Sequence, residues 1–265
     1  MPLLTLNDVE MSYGLIKVLH GINAEIHEGE VFAIIGPNGA GKTTLFKAMT
    51  GEAFASAGKI TFDSQDVTRL APHLRTRLGI GRTFQVARVF LPLGTLQNVV
   101  IAIEARLRAK RQNRAPWWQM RPAISVEKEA MALLAGVSLA QKAHMRADEL
   151  SHGDRKRLEL AMTLAGEPRV LMMDEPTAGM SAADREQVIA LLRDIRQRRS
   201  ALGAPPMTIV MTEHDMSVIF GLASRIFVMN QGRRVALGTV EEVRSDPMVQ
   251  EVYLGSEDQT SEAVQ

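Results

Sequence analysis

The sequence predicts an α/β fold built on a mostly parallel sheet. Three observations point there. Val31-Phe32-Ala33-Ile34-Ile35, Val170-Leu171-Met172-Met173 and Met207-Thr208-Ile209-Val210-Met211-Thr212 are apolar runs, as strands buried on both faces should be. Helical patterns alternate with them. A glycine-rich segment, Gly36-Pro37-Asn38-Gly39-Ala40-Gly41-Lys42-Thr43-Thr44, joins the first run to a helix start at 44–49.

The elements follow in order. Segments 3–12 and 18–27 read as strands joined by a turn at Tyr13-Gly14, and Gly29-Glu30 turns the chain into the strand 31–35. Lys59-Ile60-Thr61-Phe62 is a short strand. Segment 79–85 is another, with Gln85 at its polar end. From Leu96 to about Arg114 the pattern is helical, with a basic face of Arg106, Arg108, Lys110, Arg111 and Arg114. Pro116 and Pro122 break it around Trp117-Trp118, whose indoles either pack or meet lipid headgroups or a protein partner. Helices resume over 125–135 and 154–165. After the strand 170–175 come a helix at 183–199, the strand 207–212, and a hairpin of 224–229 with 233–237 around Asn230-Gln231-Gly232. The helix-rich stretch 88–165 interrupts the alternation and reads as an inserted subdomain. Segments 1–87 and 166–254 then form the core of one domain, and 255–265 is a polar tail expected to stay unfolded.

At 265 residues the chain suits one large domain or a core with a subdomain. A formal net charge of +1 does not suggest a nucleic-acid partner. With no cysteine there is no disulfide, thiolate nucleophile or cysteine-held metal, which fits a reducing compartment. The first ten residues lack the basic start and long apolar core of a signal peptide. No run is long enough to cross a bilayer, so work at a membrane would be done from its surface or through a partner.

Gly36 to Thr44 has the spacing of a phosphate-binding loop. Glycines let backbone amides approach an anion closely, and the helix N-terminus adds positive partial charge. Lys42 supplies a cation for β- and γ-phosphates, and Thr43 a hydroxyl for Mg²⁺. Asp174 ends an apolar strand, at the carboxyl edge where open α/β sheets bind ligands, and suits Mg²⁺ held through water. Glu175 suits orienting or deprotonating an attacking water. Several residues keep two readings at this level. Gln85 fits a surface amide or a contact to Mg²⁺ or water. His214 fits a structural imidazole or a γ-phosphate contact. Tyr13 is an exposed hairpin aromatic or an adenine-stacking ring. Leu150-Ser151-His152-Gly153-Asp154 is a capped helix start or a second anion-binding N-terminus.

In this order the pieces resemble an ABC transporter ATPase subunit, from Tyr13 to about Leu254. Gly36–Thr44 resembles the Walker A loop and Gln85 the Q-loop glutamine. Leu150–Asp154 resembles the LSGGQ signature, and Val170–Glu175 the Walker B strand with its catalytic glutamate. Ala178-Gly179-Met180-Ser181 matches the D-loop, His214 the switch histidine and Tyr13 the adenine-stacking aromatic. Two departures stand out. His152 and Asp154 replace a glycine and a glutamine of the signature, and Ser181 replaces the usual D-loop aspartate. Gly81-Arg82-Thr83-Phe84-Gln85, the D-loop and Ser-His-Gly-Asp resemble the branched-chain amino acid uptake group, which includes importers of urea and short amides.

The resemblance implies a P-loop NTPase (RecA-like) core, an N-terminal antiparallel β subdomain and an inserted α-helical subdomain. It implies ATP bound by Tyr13, Gly36, Pro37, Asn38, Gly39, Ala40, Gly41, Lys42, Thr43 and Thr44. Mg²⁺ would sit with Thr43, Gln85 and Asp174, and catalysis with Glu175, His214 and Gln85. It further implies a head-to-tail dimer, homodimer or paralogous heterodimer, with Ser151 and Gly153 meeting the ATP of the other subunit. A membrane permease would dock near Gln85, and an extracytoplasmic substrate-binding protein would deliver solute. The expected place is the cytoplasmic face of the inner membrane. A soluble ABC ATPase acting on DNA or ribosomes is the alternative, but the chain has neither long heptads nor a second cassette. A P-loop GTPase or small kinase lacks support, since no Asn-Lys-x-Asp motif occurs and the Ser151 segment would go unexplained.

Overall fold

The computed structural model describes residues 1–110, 122–201 and 205–251. The Trp117-Trp118 segment, Arg111, Arg114 and the tail 255–265 lie outside the described residues. Strands β1 (Pro2–Tyr13), β2 (Ile16–His27) and β3 (Val31–Ile35) precede helix α1 (Lys42–Thr50). Then come β4 (Ala57–Phe62), β5 (Gln65–Asp66), α2 (Pro72–Leu78) and β6 (Ile80–Arg82). Helices α3 (Thr95–Ala109), α4 (Ile124–Gly136) and α5 (His152–Ala165) follow. The chain continues through β7 (Val170–Asp174), α6 (Ala182–Ala201), β8 (Thr208–Thr212), α7 (Met216–Leu222), β9 (Arg225–Asn230), β10 (Arg233–Gly238) and α8 (Val240–Ser245).

Two sheets result. One is antiparallel, in the order β2-β1-β4-β5, and the other runs β10-β9-β3-β8-β7-β6. In the second, β3, β6, β7, β8 and β9 are mutually parallel and only β10 runs against its neighbour. Strand β3 shows why its sequence is wholly apolar. Val31, Ala33 and Ile35 join the core under the helices, while Phe32 and Ile34 join the core shared with the antiparallel sheet. The chain turns after Ile35 at Gly36 (φ 152°), where a Cβ would stand 2.1 Å from the Met229 carbonyl oxygen. Only glycine allows that approach.

The structure corrects the sequence reading in several places. The strand expected over 79–85 stops at Arg82. The Thr83 amide still bonds the Met172 carbonyl (2.9 Å), and Gln85 lies beyond the sheet. Helices α2, α7 and α8 and strand β5 go beyond the sequence pattern. Each helix has seven residues or fewer, too short to show a period. Yet α8 carries a full capping box, Thr239 with Glu242, and α7 is capped by Asp215. The basic face on α3 is also corrected. Arg106 turns inward, with its side chain 8% exposed, and pairs with Glu129 and Glu167 at 2.7 and 2.9 Å. It also donates to the Ala165 carbonyl (3.0 Å), tying α3 to α4 and to the end of α5. Burial alone would weaken its proton affinity, but Glu129 and Glu167 raise it.

Arg75 on α2 is the largest fully buried side chain. Its guanidinium donates to the carbonyls of Ala48 and Met49 (2.7 Å each), Leu70 (2.9 Å) and Thr68 (3.2 Å). Ala48 and Met49 belong to the last turn of α1, whose carbonyls have no partner within the helix. A cation suits a helix C-terminus. Burial pushes the guanidinium pKa down to about 10, against the pull of Asp66. Removing the group should leave buried carbonyls unpaired, so Arg75→Ala is expected to lose about 3 kcal/mol of stability in urea unfolding. A loss below about 1 kcal/mol would contradict this account of α1.

Candidate active site

The glycine-rich segment wraps its own lysine. Lys42 Nζ donates to the carbonyls of Gly36 (2.7 Å) and Pro37 (3.0 Å), and the residue is 6% exposed. Burial lowers its pKa, against the attraction of Glu175 and Asp174. That attraction marks both acids as neighbours of the lysine. Gly41 (φ 97°) is the N-cap of α1 and supplies no side-chain cap, which leaves the helix's first amides for another acceptor. Thr43 is exposed and Thr44 partly so, while Ala40 is buried.

The acids stand level with the loop because of the sheet register. Thr212, at the end of β8, is paired with Ile34 of β3 on one side and Asp174 of β7 on the other. Thr212 Oγ1 donates to Asp174 Oδ1 (2.6 Å). The Glu175 amide donates to the same hydroxyl and to the Thr212 carbonyl, at 3.1 Å each. Glu175 takes a left-handed backbone (φ 48°), which costs roughly 1–2 kcal/mol for a residue with a Cβ. Strain of this kind clusters at working sites. The turn carries the Glu175 carboxylate between two polar side chains. His214 Nε2 lies 2.7 Å from Glu175 Oε1, and Gln85 Nε2 donates to Oε2 at 3.4 Å. Glu175, His214 and Gln85 therefore form one hydrogen-bonded group, with Asp174 and Lys42 beside it. Chemically, this is a carboxylate able to accept a proton from water, next to a cation at a helix N-terminus.

Three sequence candidates, Tyr13, Ser151 and Gly153, lie apart from that group. Tyr13 is half exposed at the tip of β1. Its sheet is fastened to the loop through Gly232 (φ 71°), whose amide donates to the Ala40 carbonyl (2.9 Å) and whose carbonyl accepts from the His20 amide (3.0 Å). Ser151 caps α5, accepting from the Asp154 amide (3.1 Å), and Gly153 has open space where a Cβ would stand. Among the described residues no hydrogen bond joins Ser151 or Gly153 to 36–44. Asp154 does not reach back to complete a capping box. Its carboxylate instead meets Lys142 (2.5 Å) and Arg157 (3.9 Å), so an acid at this N-terminus is neutralised locally. Lys156, on the same helix, donates to the Ala178 carbonyl (3.1 Å).

Sequence reasoning missed Thr212, Glu213, Lys142 and Glu159. Glu213 is 3% exposed and accepts from the Thr177 amide (3.0 Å), the Thr177 hydroxyl (2.5 Å) and the His214 amide (3.1 Å). It fixes the segments after both β7 and β8. Only Thr212 carries a signal, as the polar end of a strand running beside the acidic one.

Residues 19–178 match the family described as "ABC transporter". The chain belongs to the ABC transporter family, as one of its ATP-binding, ATP-hydrolysing subunits. Residues 233–259 also match the family described as "Branched-chain amino acid ATP-binding cassette transporter". The ABC subunit is 33% identical to the high-affinity branched-chain amino acid transport ATP-binding protein LivG of Salmonella typhimurium, over 96% of this chain and 98% of that one. It is 34% identical to BraF of Pseudomonas aeruginosa, of the same description, with the same coverage. It is also 30% identical to the lipopolysaccharide export system ATP-binding protein LptB of Haemophilus influenzae, over 97% and 99%. Among solved structures it is similar to the ADP conformation of MJ1267, an ATP-binding cassette of an ABC transporter. That likeness has a TM-score of 0.79 and 29% identity, over 96% of this chain and 99% of that one. No helix among the described residues is long and apolar enough to cross a membrane.

The Asp154 pairing has a pH signature. Burial would raise this carboxyl, but hydrogen bonds from Lys142 and Ser151 lower it overall. A lowered folded pKa contributes stability above the unfolded value, and that contribution is lost as pH falls through the folded one. Urea midpoints measured between about pH 6 and pH 3 should therefore fall more steeply for the wild type than for Asp154→Asn. Equal slopes would contradict the pairing.

Proposed function

We propose that this ABC ATPase powers an importer of branched-chain amino acids or related small solutes, such as short amides or urea. The reading rests on one observation above others: Glu175 sits between His214 and Gln85 beside Lys42, in a chain similar along nearly its whole length to LivG and BraF. The match at 233–259 favours amino-acid import over lipopolysaccharide export.

In this reading the loop Gly36–Thr44 takes the phosphates and Tyr13 stacks on adenine. Mg²⁺ would be held by Thr43, Asp174 and Gln85 and would neutralise phosphate charge. The donor set suits that ion. One carboxylate, one hydroxyl and one amide oxygen are hard oxygen donors, and Mg²⁺ commonly relies on one or two carboxylates plus the phosphates themselves. Glu175 orients and deprotonates the attacking water. His214 and Gln85 hold Glu175 and report on the γ-phosphate.

Two such subunits, identical or paralogous, pair head to tail, each presenting Ser151 and Gly153 to the ATP of the other. The open space at Gly153 and the neutralised Asp154 support that approach. A membrane permease docks in the groove of about 490 Å³ between α2, β6 and α3, which includes Arg77, Arg82, Phe84 and Ala105. Exposed Val86, Phe90 and Leu91, just after Gln85, extend an apolar surface for that partner. The complex works at the cytoplasmic face of the inner membrane and receives solute from an extracytoplasmic binding protein.

Steady-state ATPase assays and ATP-binding titrations test the site. Glu175→Gln should keep ATP affinity while turnover falls at least about hundredfold. Near-wild-type turnover would remove Glu175 from its role. A deletion strain should lose uptake of branched-chain amino acids, and unchanged uptake of all these solutes would reject the transport reading.

A further inference from the structure

Gln85 does not reach Glu175 unaided. It stands on an arch whose two feet are held by one buried carboxylate of α5. Glu159 is 4% exposed. Its Oε2 accepts from the Phe84 amide (3.2 Å) and its Oε1 from the Arg88 amide (2.8 Å). Gln85 lies between those amides, exposed, with its Nε2 on the Glu175 carboxylate.

Other contacts fasten the same segment. Thr163, one turn further along α5, donates its hydroxyl to the Arg82 carbonyl (3.2 Å). The guanidinium groups of Arg82 (4.9 Å) and Arg88 (3.8 Å) both stand over the Phe84 ring. Arg82 in turn pairs with Glu52 (2.6 Å) and the Thr50 hydroxyl (2.8 Å), at the end of the helix that follows the phosphate loop.

A buried carboxylate is a costly way to glue a loop to a helix, because an apolar side chain of like size would pack there without desolvating a charge. Two acceptor oxygens on one rigid plane do something an apolar residue cannot. They fix the separation of two backbone amides and thereby the direction of the arch. The helix that does this begins at Ser151, about 12 Å from Glu159 along its axis. The feet of the Gln85 arch are therefore tied to the same helix that starts at Ser151.

We infer that Glu159 is a positioning residue for hydrolysis: it sets Gln85 against Glu175 and ties that contact to the position of α5. The inference rests on the role proposed for Gln85.

A double-mutant cycle on the purified full-length chain separates the two. Glu159→Gln keeps the volume but leaves one amide without an acceptor. It should lower kcat at least about tenfold while KM changes less than about twofold. In a Gln85→Ala background the same substitution should add less than about a twofold loss. Hydrogen exchange at the Phe84 and Arg88 amides should speed up, with amides of β3 and β7 unchanged. A kcat within about twofold of wild type would overturn the inference, as would an equal loss with and without Gln85. A wild-type rate for Gln85→Ala alone would sink the role given to Gln85, and the inference with it. Should Glu159→Gln not fold, Glu159→Asp, which keeps the charge on a shorter stem, carries the same comparison.

Discussion

An ammonium held almost out of water is the constraint around which the site is built. Lys42 is buried in the turn that follows β3 and is held by two carbonyls of that turn. Burial works against its charge, and the carboxylates of Asp174 and Glu175 work for it. The loop's shape, the glycine at its entry and the acids across β8 are parts of one electrostatic arrangement. A triphosphate is the kind of ligand that such a cation and a helix N-terminus accommodate together.

Strand β8 connects the halves of that arrangement. Thr212 lies between the strand that leads to the loop and the strand that leads to the acids. Its hydroxyl donates to Asp174 and accepts from the Glu175 amide. The backbone of Glu175 is strained, and Glu213 braces the turn beyond it through Thr177 and His214. Buried carboxylates recur here as loop holders. Glu213 grips the segments after β7 and β8, and Glu159 grips the segment around Gln85. Each accepts from backbone amides of the loops it holds.

Much of this is legible in the sequence, for reasons that explain why the rest is not. Strands β3, β7 and β8 announce themselves because burial on both faces leaves no polar alternation to confuse them with a helix. The loop is legible because its glycines answer to backbone geometry, as Gly36 shows. Helices α2 and α7 are not, since so few residues cannot display a period. The inward turn of Arg106 is hidden because Glu129 and Glu167 become its neighbours only after three elements pack. Glu159 and Glu213 look like any acid on a polar helix or strand end until the fold buries them. Asp154 looks adverse at a helix start facing an anion, and only the folded chain brings Lys142 against it.

Lys42, in its closed turn, is the main electrostatic anchor for ATP in this account. Calorimetric titration of ATP into the full-length chain and into Lys42→Ala, with and without Mg²⁺, tests that role most directly. The account predicts measurable Mg²⁺-assisted binding to the wild type and an affinity at least about tenfold lower, roughly 1.4 kcal/mol, for the variant. Equal affinities for the two proteins would contradict it.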